Sequence, residues 1–254
     1  MSEIVVEQDG RVATVTLNRQ PVNALTSALY EELGEIFLKF VSRDDLNCVV
    51  IASGSERAFC AGKDLTEFLS ATVEDDPRQA YIVRRAFEAI RHCPVPVIAQ
   101  VNGPALGAGC VIAAVADIRV ASEKATFGLP EVNVGRCGGA AHVGRLIPQG
   151  ALRRMYFTAE PISAAEAYRL GLVDVLVAPE ALKETVSVMA AKIASKSPIG
   201  LRIGEKSMNE AEEMAIEPGY AREQSYSTLL MRTEDAREAT RSIVEKRPPV
   251  FVGR

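Results

Sequence analysis

Val95-Pro96-Val97-Ile98-Ala99-Gln100-Val101-Asn102-Gly103-Pro104-Ala105-Leu106-Gly107-Ala108-Gly109 runs from an apolar, β-branched stretch into a glycine-rich turn. The first half predicts a buried strand, and the turn opens a helix of small residues. Further on, Phe127-Gly128-Leu129-Pro130-Glu131 sets one carboxylate in an otherwise apolar stretch. A glycine-rich turn at a helix start leaves backbone N–H groups unpaired, and the helix dipole favours negative charge there. An anion holder and an acid/base group are therefore expected in one pocket.

On either side of this stretch, short strands alternate with helices. Ile4-Val5-Val6 and Ala13-Thr14-Val15-Thr16-Leu17 read as strands, the second alternating at period two. Leu29, Leu33, Ile36, Phe37, Phe40 and Val41 make one apolar helix face. Cys48 to Ala52, Asp117 to Ala121 and Leu172 to Val177 read as further strands, Pro77 suits the first position of a helix, and Ser163-Ala164-Ala165-Glu166 is a capping box. The strand signal stops near Ser195-Lys196-Ser197-Pro198, and helices run on to Lys246 before Pro248-Pro249. This divides the chain into a core (1–196) and a helical region (197–254). The helical region holds too few apolar residues to form its own core, so it is expected to pack on the main domain or on another subunit.

Composition narrows the function. The chain has 254 residues, 48% apolar and 24% charged, with net charge −4 and no extended basic stripe, which argues against a nucleic-acid partner. No apolar run reaches about 18 residues and the start lacks a signal-peptide pattern, so the expected location is the cytoplasm, with no membrane partner. Five scattered cysteines without a Cys-x-x-Cys pair indicate reduced thiols and no metal site. Only His92 and His142 are available to a hydrolytic triad, and neither lies near a nucleophile motif. No Walker loop is present, and Ile112 stands where a dinucleotide fingerprint needs its third glycine.

Ala61-Gly62-Lys63 and Gly107-Ala108-Gly109 both follow buried strands, and both can leave an N–H free to meet a carbonyl oxygen that gains charge. Small residues at such turns also serve plain close packing. With Ala58-Phe59-Cys60-Ala61-Gly62-Lys63-Asp64-Leu65, Pro96 through Cys110, Ala116-Asp117-Ile118-Arg119-Val120-Ala121 and Ala125-Thr126-Phe127-Gly128-Leu129-Pro130-Glu131, the chain resembles the enoyl-CoA hydratase/isomerase (crotonase) superfamily. The likeness runs from Leu17-Asn18-Arg19 to Glu245-Lys246-Arg247.

The resemblance implies an α/β crotonase (ClpP-like) spiral of ββα units, with a C-terminal α-helical region that forms homotrimers, often paired into hexamers. It implies an acyl-CoA thioester as substrate, with coenzyme A part of that substrate and no separate cofactor. By motif position the N–H groups of Lys63 and Ala108 hold the thioester oxygen. Val22, Ala24, Ala61, Lys63, Asp64, Leu65 and Gly107 match CoA-contacting stretches, and Lys246 matches a basic position that reaches the nucleotide phosphates from a neighbouring subunit. Lys246 could equally be a solvated helix end, and Asp64 simply a helix cap.

Typical hydratases of the family carry two glutamates. This chain has Val111 at the first place and Glu131 at the second. A single carboxylate can move a proton between carbons, whereas adding water is easier with two. The expectation is thus an enoyl-CoA isomerase, with enoyl-CoA hydratase as the alternative and a non-catalytic acyl-CoA binder as a rival of another class. Glu131, placed near Val111, is expected to lose hydration and have a raised pKa. His142, where the family has a helix glycine, is read as structural rather than as a second acid/base, and Cys137 as an inert thiol.

Overall fold

The computed structural model describes residues 2–254. The elements in chain order are β1 (Ile4–Asp9), β2 (Val12–Leu17), α1 (Ser27–Lys39), β3 (Cys48–Ser53), α2 (Leu65–Ser70), α3 (Asp76–Arg91), β4 (Val97–Val101), β5 (Ala105–Leu106) and α4 (Ala108–Val115). There follow β6 (Ile118–Ser122), β7 (Thr126–Gly128), α5 (Ala140–Val143), α6 (Gln149–Thr158), β8 (Ile162–Ser163), α7 (Ala164–Leu170), β9 (Val175–Val177) and α8 (Leu182–Ala194). Three helices close the chain: α9 (Pro198–Glu212), α10 (Ile216–Leu230) and α11 (Glu234–Val244).

Six strands form one sheet in the order β1-β2-β3-β4-β6-β9. The β1–β2 pair is antiparallel and every later pair is parallel. Strands buried on both faces read as continuous apolar runs, and β3 shows why. Its Val49 and Ile51 join the main core beneath α1, α3 and α4, while Cys48, Val50 and Ala52 pack with Leu182, Val186 and Ala190 of α8. A small second sheet, β5-β7-β8, lies beyond the end of β4. It ties the glycine-rich turn to the acid segment, since Ala105 pairs with Phe127 and Leu106 with Gly128.

Several elements differ from the sequence reading at their edges. The helix predicted to include Val41 ends at Lys39 and passes into a short 3-10 turn, which leaves Val41 exposed. Leu172 and Val173 are buried, but in turn bonds to Ala167 rather than in β9. Ser163 caps α7 by accepting from Glu166 N at 3.2 Å, whereas the Glu166 carboxylate turns outward to Arg169 and Arg154, so only half of the box forms.

The last three helices keep large apolar residues in solvent: Met208, Ile216, Tyr220, Ile243 and Val244 are all mostly exposed. Their contact with the sheet domain runs through α9, whose Asn209 donates to the Arg91 carbonyl and whose Glu212 meets Arg91 and Arg145. Among the described residues no helix is long and apolar enough to cross a membrane.

Candidate active site

The turn after β3 and the turn after β4 come together at close range. Gly62 and Gly107 both take positive φ, +95° and +53°, which glycine adopts without the Cβ penalty. Space demands glycine as well. A Cβ on Gly62 would lie 2.9 Å from the Leu106 oxygen and 3.5 Å from Ala108 N, and one on Gly109 would lie 2.1 Å from the Cys60 oxygen. The two turns are stitched by Leu106 N donating to Cys60 O at 2.9 Å.

Two amides are left over. Among the described residues, neither the Lys63 N–H nor the Ala108 N–H donates to any protein oxygen. Ala108 is the first residue of α4, where the helix supplies no acceptor and the dipole is positive. The two free donors belong to turns in direct contact.

Glu131 completes the group. Gly107 N donates to Gly128 O at 2.9 Å, which draws the segment carrying the acid against the same turn. A Cβ on Gly107 would stand 3.2 Å from Glu131 Oε1 and 3.8 Å from Gly62 Cα. Glu131 Oε2 is buried without a hydrogen-bond partner among the described residues. Loss of hydration pushes the Glu131 carboxyl above its ordinary value, with only its own backbone amide acting the other way. A buried acceptor with nothing to accept from is costly in a folded protein and is characteristic of a group awaiting a ligand. Val111 lies one helical turn beyond Gly107, donating to its carbonyl at 3.1 Å, and is itself buried. The place where the family's first glutamate would stand is therefore apolar.

The stretches assigned to CoA contact lie side by side. Ala61 N donates to Val22 O at 3.0 Å, Leu25 N to Gly62 O at 2.8 Å and Asp64 N to Leu25 O at 2.9 Å. Asp64 caps α2 through Thr66 N at 2.8 Å and pairs with Arg19 at 2.8 Å, while Arg19 also holds the Ala24 carbonyl. Its capping role is thus realised. Leu65 is exposed beside this shelf, and Lys246 sits after α11 with positive φ. Among the described residues of one chain, no backbone hydrogen bond joins the shelf to Lys246.

His142 packs edge-on against Phe87, ring centroids 5.8 Å apart, and burial together with Arg91 and Arg145 lowers its pKa. That neutral, packed imidazole fits a structural role. Cys137 is exposed, and the other four cysteines are buried, with Cys48, Cys60, Cys93 and Cys110 pushed up to about 12 by burial.

Two features went unread in the sequence. The Lys63 side chain, whose identity is irrelevant to its amide, reaches α3 and donates to Gln79 Oε1. Glu205, far away in sequence and buried on α9, comes near Asp117, an exposed acid just before β6; burial and then the Asp117 charge raise the Glu205 carboxyl to about 8. No local pattern encodes a pairing across such a span.

Paired free amides beside a lone desolvated acid define a site for stabilising a carbonyl oxygen that becomes negative while a proton moves. The chain belongs to the enoyl-CoA hydratase/isomerase family, whose model matches residues 7–254. It is an enzyme of that family acting on acyl-CoA, not an idle binder, and has the crotonase fold. It is 33% identical over 251 residues to the short-chain-enoyl-CoA hydratase of Clostridium acetobutylicum, covering 97% of this chain and 96% of the relative. It is 37% identical over 262 residues to the 2,3-dehydroadipyl-CoA hydratase of Escherichia coli, covering all of both chains. The crystal structure of an enoyl-CoA hydratase from Bacillus anthracis superposes with a TM-score of 0.95 at 32% identity over the whole of both chains.

Proposed function

We propose that the enzyme shifts the double bond of an enoyl-CoA, using Glu131 as the only acid/base. The thioester oxygen accepts from Lys63 N–H and Ala108 N–H, which lowers the cost of drawing a proton from C2. Glu131 takes that proton, the charge spreads over a dienolate held at the two amides, and Glu131 returns the proton at C4. CoA lies along the shelf formed by Val22, Ala24, Ala61, Asp64, Leu65 and Gly107, with Lys246 of a second copy meeting its phosphates. No separate cofactor enters this scheme. The exposed apolar residues of α10 and α11 support assembly into a homotrimer or homohexamer.

The observation that carries this reading is the unpartnered Glu131 oxygen beside two free amides, with valine at the second acid's place. A second reading, hydration of a 2-enoyl-CoA, is favoured by the names of the relatives. Incubation with 2-enoyl-CoA and 3-enoyl-CoA, with products identified by mass, tests the choice. Unchanged mass with a moved alkene supports the isomerase, and gain of one water overturns it in favour of the hydratase.

A further inference from the structure

Lys63 and Arg136 leave the site from its two opposite parts and meet on one ring. Lys63 follows the Gly62 turn that abuts Ala108, and its Nζ lies 4.7 Å from the centre of the Phe68 ring on α2. Arg136 follows the acid, its N–H donating to the Glu131 carbonyl at 3.0 Å, and its guanidinium lies 5.2 Å from the same ring centre. Phe68 thus bridges the oxyanion turn and the acid's loop, with two cations against its ring.

The charges around the pair are unevenly matched. Arg136 is neutralised by Asp76 at 2.8 Å. Glu67, the nearest acid in sequence to Phe68, is spent on α1, accepting from Ser27 N and Ser27 Oγ at 2.9 Å each. Asp64 is held by Thr66 and Arg19. Among the described residues, Lys63 Nζ has only the neutral Gln79 amide oxygen and an aromatic face, with no carboxylate at ion-pair distance. Burial and Arg136 lower its pKa, while Glu67 and Asp76 oppose this from further off. A half-desolvated ammonium with neutral partners gains most from an incoming anion.

From this placement we infer that the acyl group taken by the site ends in a second anionic group, a distal carboxylate, which Lys63 Nζ binds with Arg136 alongside. The inference rests on the acyl-thioester reading above, because the acyl chain then leaves the amide pair toward Phe68. The ring carries the methylene stem and the ammonium takes the charged end. The Lys63 residue serves twice, its backbone at the thioester and its side chain at the far terminus.

The test compares hexanoyl-CoA with adipyl-CoA by calorimetry, and hexenoyl-CoA with its ω-carboxy counterpart in turnover, for the wild-type enzyme, Lys63→Met and Arg136→Met. One charge-assisted hydrogen bond predicts adipyl-CoA binding about tenfold tighter than hexanoyl-CoA. That preference should shrink with added salt, vanish in Lys63→Met and fall partway in Arg136→Met. Equal or weaker binding of adipyl-CoA, with both saturated thioesters bound and both enoyl thioesters turned over, overturns this inference alone. Failure of both thioesters to bind overturns the acyl-thioester reading and takes the inference with it.

Discussion

Replacing Gly109 by alanine tests the contact between the two amide-bearing turns. The added Cβ would fall 2.1 Å from the Cys60 oxygen, 2.8 Å from the Cys60 carbonyl carbon and 2.8 Å from its Cβ. Ordinary contact starts near 3.4 Å, so the two backbones must part by more than an ångström. Neither side yields cheaply, because Cys60 O is also the acceptor for Leu106 N and Gly109 lies in the first turn of a helix buried from Gly109 to Val115. Overpacking of this kind costs about 1–3 kcal/mol in stability. The functional cost should be larger. Lys63 is three residues from Cys60 and Ala108 is adjacent to Gly109, so the relieving movement separates the two donors. A misplacement of about 1 Å can cost about a hundredfold in rate. Thermal melts should therefore show a modest loss, while kcat on an enoyl-CoA falls by about a hundredfold or more. A Gly109→Ala enzyme with wild-type melting and wild-type kcat would refute the claim that the turns touch and jointly set the donors.

Glu131→Gln keeps the shape of the acid and removes its proton transfer, so kcat should drop by about a hundredfold to ten-thousandfold while the affinity for a saturated acyl-CoA stays, checked by steady-state kinetics and calorimetry. Because burial raises the Glu131 pKa, the acid limb of the kcat/KM pH profile should lie above the ordinary glutamate value of 4.5; a limb at or below that value would contradict its desolvation. Buried Glu205 beside Asp117 holds its proton more tightly folded than unfolded, so its contribution to stability is full below the unfolded carboxyl range and is lost as pH rises through about 8. Arg91, Arg119, Arg145, Lys192, Lys196 and Glu212 line the same space, and the carboxyl pair persists in their field. Glu205→Gln should accordingly raise the melting temperature relative to wild type at pH 9 and lose that advantage near pH 5, where an equal difference at both would refute it. Asn23 holds a positive φ and donates to Ser53 Oγ and Phe59 O, so Asn23→Ala should cost about 1–3 kcal/mol in denaturant unfolding.

The parts of the fold legible in the sequence were those encoded locally. The strands β3 and β4 show as continuous apolar runs because both sheet faces are covered there, and β2 shows at period two because only one of its faces is fully buried. The glycine-rich turn and the Phe-Gly-Leu-Pro-Glu segment were readable because close approach demands glycine and the acid stands alone among apolar residues. The small strands β5, β7 and β8 were invisible, since two or three residues carry no period. Val41 satisfied the helix pattern, yet the helix tightens after Lys39 and turns it outward. The grouping of Lys63 with Gln79, Phe68 and Arg136 joins four separate segments, and neither spacing nor composition announces it. The same holds for Asp117 and Glu205, where each alone reads as an ordinary strand-edge or helix-surface acid.

A crystal structure of the enzyme with a saturated acyl-CoA bound tests the central claim most directly. The thioester oxygen should lie about 2.7–3.1 Å from both Lys63 N and Ala108 N, with C2 facing the Glu131 carboxylate. A thioester oxygen bound to neither amide, or an acyl chain whose C2 points away from Glu131, would contradict the account.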